Sequence, residues 1–158
     1  MSVTTAIAKL ATVLLTVDPT PQPAFRRVYS NPAEAVNLGD MPSAVITLSP
    51  TATHTWTEEA LGLGRHDYSL TIYVFLGIRQ TPLPELHARA LPWPEAIMRV
   101  LANNITLGGV VNQLGFGGDP RLYTYKLGPI PWSDQLYWGL TLTLPVVEKP
   151  IMDMGPGT

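Results

Sequence analysis

Apolar residues recur at helical spacing at the start of the chain. Val3, Ile7, Leu10, Leu14 and Val17 fall on one side, and Thr5, Lys9, Thr12 and Thr16 on the other. Ser2 stands where a hydroxyl caps a helix start, so the pattern predicts an amphipathic N-terminal helix laid on a sheet. Three prolines between Asp18 and Pro23 end it and make an extended connector. The period then changes to two. Phe25 to Tyr29 reads as a first strand, Asn31 to Pro42 as a turn or short helical excursion around Gly39 and Asp40, and Ala44, Ile46 and Leu48 as alternate positions of a second strand. Thr51 to Thr57, mostly threonine with Trp56, has the composition of an exposed edge strand. The strongest strand is His66 to Ile78, where Tyr68, Leu70, Ile72, Val74, Leu76 and Ile78 make one unbroken apolar face. Its other face turns apolar at Tyr73 and Phe75, which predicts a central strand covered on both sides in its later half.

Thr81 to Pro84 breaks this strand, and helical material follows to about Asn104, interrupted at Leu91 to Pro94. Pro94 suits the first turn of a second helical segment, whose inner face is Ile97, Val100, Leu101 and Asn104. Gly108 and Gly109 turn the chain. Arg121 to Leu127 and Gln135 to Val146 close the sheet, joined by a long hairpin-like loop from Gly128 to Ser133. In the last strand Leu136, Trp138, Leu140, Leu142, Leu144 and Val146 alternate with Gln135, Tyr137, Gly139, Thr141 and Thr143, the pattern of a half-buried antiparallel strand. The predicted class is α+β: a single, mainly antiparallel sheet packed against an N-terminal helix and a second, Pro-interrupted helix. Residues 1–149 make one domain, and 150–158 a flexible C-terminal tail.

Composition adds a constraint on the surface. Hydrophobic residues make up an ordinary 46%, but charged residues only 14%, well below the usual quarter or so. Sixteen Pro, thirteen Gly and many Thr cover the remainder, and an uncharged surface of this kind suits burial against other subunits. A net charge of −2 with ten dispersed Lys and Arg gives no footprint for nucleic acid or an anionic membrane. The segment Ser2 to Val17 lacks the features of a signal peptide and is shorter than a spanning helix. Without cysteine there is no disulfide, thiolate nucleophile or Cys-based zinc site.

Candidate chemistry is sparse. His54, His66 and His87 match no compact metal signature and read as unrelated. His66 and Asp67 are consecutive strand residues and so point to opposite faces, which separates a base from its would-be orienting carboxylate. Glu58 and Glu59 read as solvated charges. The glycine-rich stretches Gly62 to Gly64 and Gly115 to Asp119 lack the Lys and Ser or Thr of a phosphate loop. No catalytic residue, cofactor site or metal site is expected. Trp138 belongs to an apolar strand face, whereas Trp93 and Trp132 sit beside prolines and, with Trp56, are candidate subunit-interface residues. Arg26 and Arg27 join them, because strand alternation sends the two arginines to opposite sides.

The run from Pro94 to Leu114 carries a helix followed by Thr106, Leu107, Gly108 and Gly109. It resembles the tail terminator (tail completion) proteins of long-tailed bacteriophages, in which a helix leads into Thr-Leu-Gly-Gly and a short strand. The order of elements is also similar along most of the chain, with departures in the Pro-rich Leu83 to Pro94 and the extended Gly115 to Trp132. The resemblance implies a structural virion protein without enzymatic activity or cofactor. It would be made in the host cytoplasm and would form a hexameric ring that caps the head-proximal end of the tail tube, with the tail tube protein and the neck connector as partners. Another head-tail joining or minor tail protein, or a monomeric small-ligand-binding α+β module, are the alternatives.

Overall fold

The computed structural model describes residues 3–32, 36, 38–56, 64–78, 80–109, 111, 113–115 and 123–148, with the backbone only at 38, 50–56, 64–66, 113 and 148. The expected tail over 150–158, Glu58 and Glu59, and most of the two glycine-rich stretches lie outside the described residues. Three helices, α1 (Val3–Leu14), α2 (Leu83–Ala90) and α3 (Trp93–Ala102), accompany six strands: β1 (Arg27–Tyr29), β2 (Ser43–Trp56), β3 (Gly64–Ile78), β4 (Gln113–Leu114), β5 (Thr124–Trp132) and β6 (Gln135–Glu148). The strands form one mixed sheet in the order β1-β2-β3-β6-β4, with β5 sharing the outer side of β6 with β4. Only the short β1 and β2 pair is parallel; every other pairing is antiparallel. The architecture is the α+β one expected, with β3 central.

One face of this sheet carries the main core. Ala44 and Ile46 of β2, Tyr68, Leu70, Ile72, Val74 and Leu76 of β3, and Leu140, Leu142, Leu144 and Val146 of β6 lie together against all three helices. α1 contributes Ala6, Leu10, Val13 and Leu14, the side predicted from its spacing. α3 contributes Trp93, Ala96, Ile97 and Leu101, and its proline does sit in the first turn. Each fully buried Leu or Ile adds roughly 1.5–3 kcal/mol relative to an exposed one, so this layer dominates stability. α2 reaches β3 at Gly77, where a methyl group would overlap Leu86.

Two irregularities reshape the sheet. In β3 the pairing with β6 shifts between Phe75 and Gly77, so Leu76 is an extra residue. The shift sends Ile78 to the opposite face, where it packs with Phe75 and Tyr137. The unbroken face expected from Tyr68 to Ile78 therefore ends at Leu76, whose freed carbonyl accepts a hydrogen bond from Arg89 Nη1 at 3.1 Å. In β2 the pairing with β3 shifts between Leu48 and Ala52. The two segments expected there are thus one strand with an irregularity around Pro50.

The expected long loop from Gly128 to Ser133 is in fact strand. β5 runs to Trp132, and the chain reverses through Ser133 and Asp134 alone, at φ 49° and 62°. Positive φ at both central residues is the type I′ geometry whose twist matches a hairpin. Prolines 129 and 131 escaped reading as strand because proline cannot donate to a ladder. Trp132 and Gln135 close the hairpin, so Pro129 opposite Trp138 and Pro131 opposite Leu136 occupy the pairs that exchange no bonds. Both proline nitrogens consequently face the outer rim of the sheet.

Candidate interaction surface

The second face of the sheet is built differently. At one end Val45, Phe75, Ile130, Tyr137 and Val36 form a small buried cluster, flanked by Tyr29, Met41, Tyr73, Ile78 and Trp132. Trp132 lies 5.3 Å from the ring of Tyr73 and 5.9 Å from that of Phe75, while Phe75 meets Tyr137 edge-on at 5.2 Å. Tyr137, expected among the polar positions of β6, is buried here and donates to the carbonyl of Val36 at 3.3 Å. Among the described residues no helix contributes to this cluster.

Beyond the aromatic end the same face becomes a field of hydroxyls. Thr47, Thr71, Thr143 and Thr124 stand in one register row across β2, β3, β6 and β5. Thr47, Thr71 and Thr143 are half-buried and Thr124 exposed; Thr141 and Ser69 are also half-buried. The Ser49 and Thr71 hydroxyls are 2.7 Å apart and share a hydrogen bond. β-branched hydroxyl residues hold a strand rigid and leave a low, uncharged relief. The outer side of β2 from Ile46 onward has no strand beside it among the described residues, as its threonine-rich sequence led one to expect.

The turn after α3 is a positioning device. Three consecutive residues take left-handed backbone, Leu107 at φ 49°, Gly108 at 69° and Gly109 at 91°. Leu107 is fully buried and anchors the turn in the main core, whereas Thr106, Gly108 and Gly109 are exposed. The Gly109 amide donates to the Thr106 carbonyl at 3.0 Å and the Val111 amide to the same oxygen at 3.1 Å. Asn104 Nδ2 donates back to the Val100 carbonyl at 2.7 Å, and the Leu114 amide to the Ile105 carbonyl at 2.8 Å, which delivers β4 to the sheet rim.

The other expected interface residues separate. Trp93 is 1% exposed and belongs to the core, which withdraws its ring from any external partner. Trp132 is half-buried on the second face. Trp56 ends β2, and its side chain lies outside the described residues. Arg26 and Arg27 are both exposed, and β1 begins only at Arg27. Arg26 Nη1 donates to the Gly39 carbonyl at 3.1 Å; Arg27 lies 4.4 Å over the Tyr29 ring and 3.7 Å from the Asp40 carboxylate. Together they fasten β1 to the short 3₁₀ turn Leu38–Asp40.

Few groups have perturbed acidity. Burial, with Tyr125 as a lesser cause, pushes the Tyr123 phenol up to about 12, and its hydroxyl donates to the Pro94 carbonyl. Hydrogen bonds from Thr20 hold the exposed Asp18 carboxyl below its ordinary value. Among the described residues there is no cluster of three metal-ligating side chains, and no helix long and apolar enough to cross a membrane. A cavity of about 410 Å³ opens beside the Leu76 irregularity, lined by Met41, Leu76, Ile78 and Trp93 with Gln22 and Arg89 as polar groups. The register also sets His54 opposite His66, two residues whose sequence spacing had suggested no relation.

No protein-family model matches this chain, and no curated protein is significantly similar to it.

Proposed function

We propose that this protein is a structural assembly protein of the tail terminator type, working as a ring of identical copies, hexameric in that family, between a tail tube and a neck connector. The observation that carries the reading is the second sheet face. It spans four strands with aromatic rings at one end and threonines in register at the other, and among the described residues it is covered by no helix of its own chain. A rigid face of aromatic rings and hydroxyls, on which the register places Lys126 and Asp67 as charged residues, loses comparatively little on desolvation, which suits a subunit contact. The blocked outer rim of β5 directs that contact face-on rather than rim to rim. The run Pro94 to Leu114 supplies the likeness to the family, and the buried Leu107 gives its turn a structural role.

Negative-stain electron microscopy with light scattering over a range of concentrations tests this, alone and with tail tube protein. Rings of about six copies with a central hole are expected. A strict monomer that also fails to assemble on tail tubes overturns the proposal. A second reading, a small-ligand-binding module, rests on the 410 Å³ cavity, whose size falls within the range of ligand pockets. It requires a monomer whose melting temperature rises with a bound compound.

A further inference from the structure

The cavity beside Leu76 lies where the two apolar cores part. The extra residue in β3 keeps Leu76 with the main core and turns Ile78 to the second face. Trp93 belongs to the first of these cores and Met41 packs against the second. All four side chains line the cavity of about 410 Å³. A space of this size with such walls takes the apolar body of a small molecule.

Its polar end is ordered by local bonds. Arg89, in the last turn of α2, donates from Nη1 to the Leu76 carbonyl at 3.1 Å and from Nη2 to Glu85 Oε1 at 2.6 Å. A guanidinium held at two corners is pre-organised, and it has more N–H donors than these two contacts use. Thr81 is placed by a turn in which its amide donates to the Ile78 carbonyl at 3.0 Å. Its hydroxyl reaches the same spot as the guanidinium: a methyl group on Gly77 would lie 3.4 Å from Arg89 Nη1 and 3.6 Å from Thr81 Oγ1. Gly77, Thr81 and Arg89 all line the cavity, and among its described lining residues Arg89 is the only charged one. Glu85 is exposed and is not part of the wall, so water screens its charge.

We propose that this cavity binds a small carboxylic acid with an apolar body. The carboxylate accepts from Arg89 and Thr81, and the body lies among Leu76, Ile78, Met41 and Trp93. Such a ligand meets a cation and no carboxylate in the described wall, whereas a neutral one forgoes the charge-assisted bond. The inference rests on the small-ligand reading of the cavity and adds the ligand's charge and shape. A single chain and a ring subunit would carry the site alike.

The test is calorimetric titration of the full-length chain with sodium octanoate and, in parallel, with octanamide, which has the same apolar chain without the charge. One saturable site per chain is expected, with octanoate favoured at least about tenfold. R89Q should abolish that preference, T81V should weaken octanoate more modestly, and M41W, which fills the cavity, should weaken both ligands. R99Q, at an exposed position of α3 outside the cavity, should leave both unchanged. The comparison of the two ligands on the unaltered chain holds even if a variant fails to fold. Equal affinity for the two ligands overturns the carboxylate assignment while leaving the cavity a site for neutral compounds. Absence of saturable binding by either, or undiminished binding in M41W, overturns the site itself.

Discussion

The ring of Trp93 lies 4.4 Å from that of Phe25, tilted by 43°, so the first residue of α3 is locked to the segment that leads into β1. Trp93 is a hinge point of the main core and not a surface anchor. Trp93→Ala should destabilise the chain by about 3–5 kcal/mol in urea denaturation, with Trp93→Phe costing clearly less. An unchanged midpoint for the alanine variant would contradict this packing.

Two glycines separate close approach from backbone strain. A methyl group at Gly139 would overlap the carbonyl oxygen of Val74, in the middle of the β3 and β6 ladder. Gly109, at φ 91°, has open space where a methyl group would go. Gly139→Ala should lose cooperative unfolding or accumulate as insoluble protein, whereas Gly109→Ala should fold with a penalty of about 1–2 kcal/mol from its backbone alone. Circular dichroism melts of the soluble fractions distinguish the two.

Tyr123 predicts the alkaline limb of stability. Its folded pKa of about 12 lies above the unfolded value near 10, so the unfolded chain sheds this proton first. The contribution is intact below about pH 10 and is lost as pH rises toward 12. Tyr123→Phe should flatten this decline, while removing a neutral hydrogen bond to Pro94 that contributes about 1 kcal/mol at pH 7. Denaturant midpoints between pH 8 and 12 for both proteins provide the check.

If the second face joins subunits, a charge placed in its threonine row must be buried on assembly. Thr143→Glu should leave the monomer folded, since Thr143 is only half-buried, and raise the concentration needed for ring formation at least about tenfold. Thr12→Glu, on the exposed side of α1, should assemble like the unaltered chain. Parallel light-scattering titrations decide, and equal assembly by both variants would remove the face from the interface.

Local periodicity made much of the architecture legible. α1 follows from its apolar spacing, and β3 and β6 from their alternation, because neighbours within an element set these patterns. What stayed hidden depends on residues far apart in sequence. The extra residue Leu76 sends Ile78 across the sheet, and nothing in its neighbours announces this. Pro129 and Pro131 resembled loop residues until the hairpin register put their nitrogens on the outer rim. Trp93 read as a candidate interface residue because it sits beside prolines, but those prolines start a helix that turns its ring inward. His54 and His66 became neighbours only through the irregularity at Pro50, which composition does not reveal. The turn at Thr106 to Gly109 was visible as a turn, yet the burial of Leu107 was not.

The two rim prolines of β5 give the sheet a handed incompleteness. Extending a sheet by identical copies needs a rim that offers amide hydrogens and another that receives them at every step. Here one side withholds two donors in succession, so a ribbon begun on the side of β2 that has no strand beside it among the described residues would lack two bonds at the β5 rim of the next molecule. Sheet growth through these two positions of β5 is thereby barred, whatever pairs with the side of β2 that has no strand beside it among the described residues.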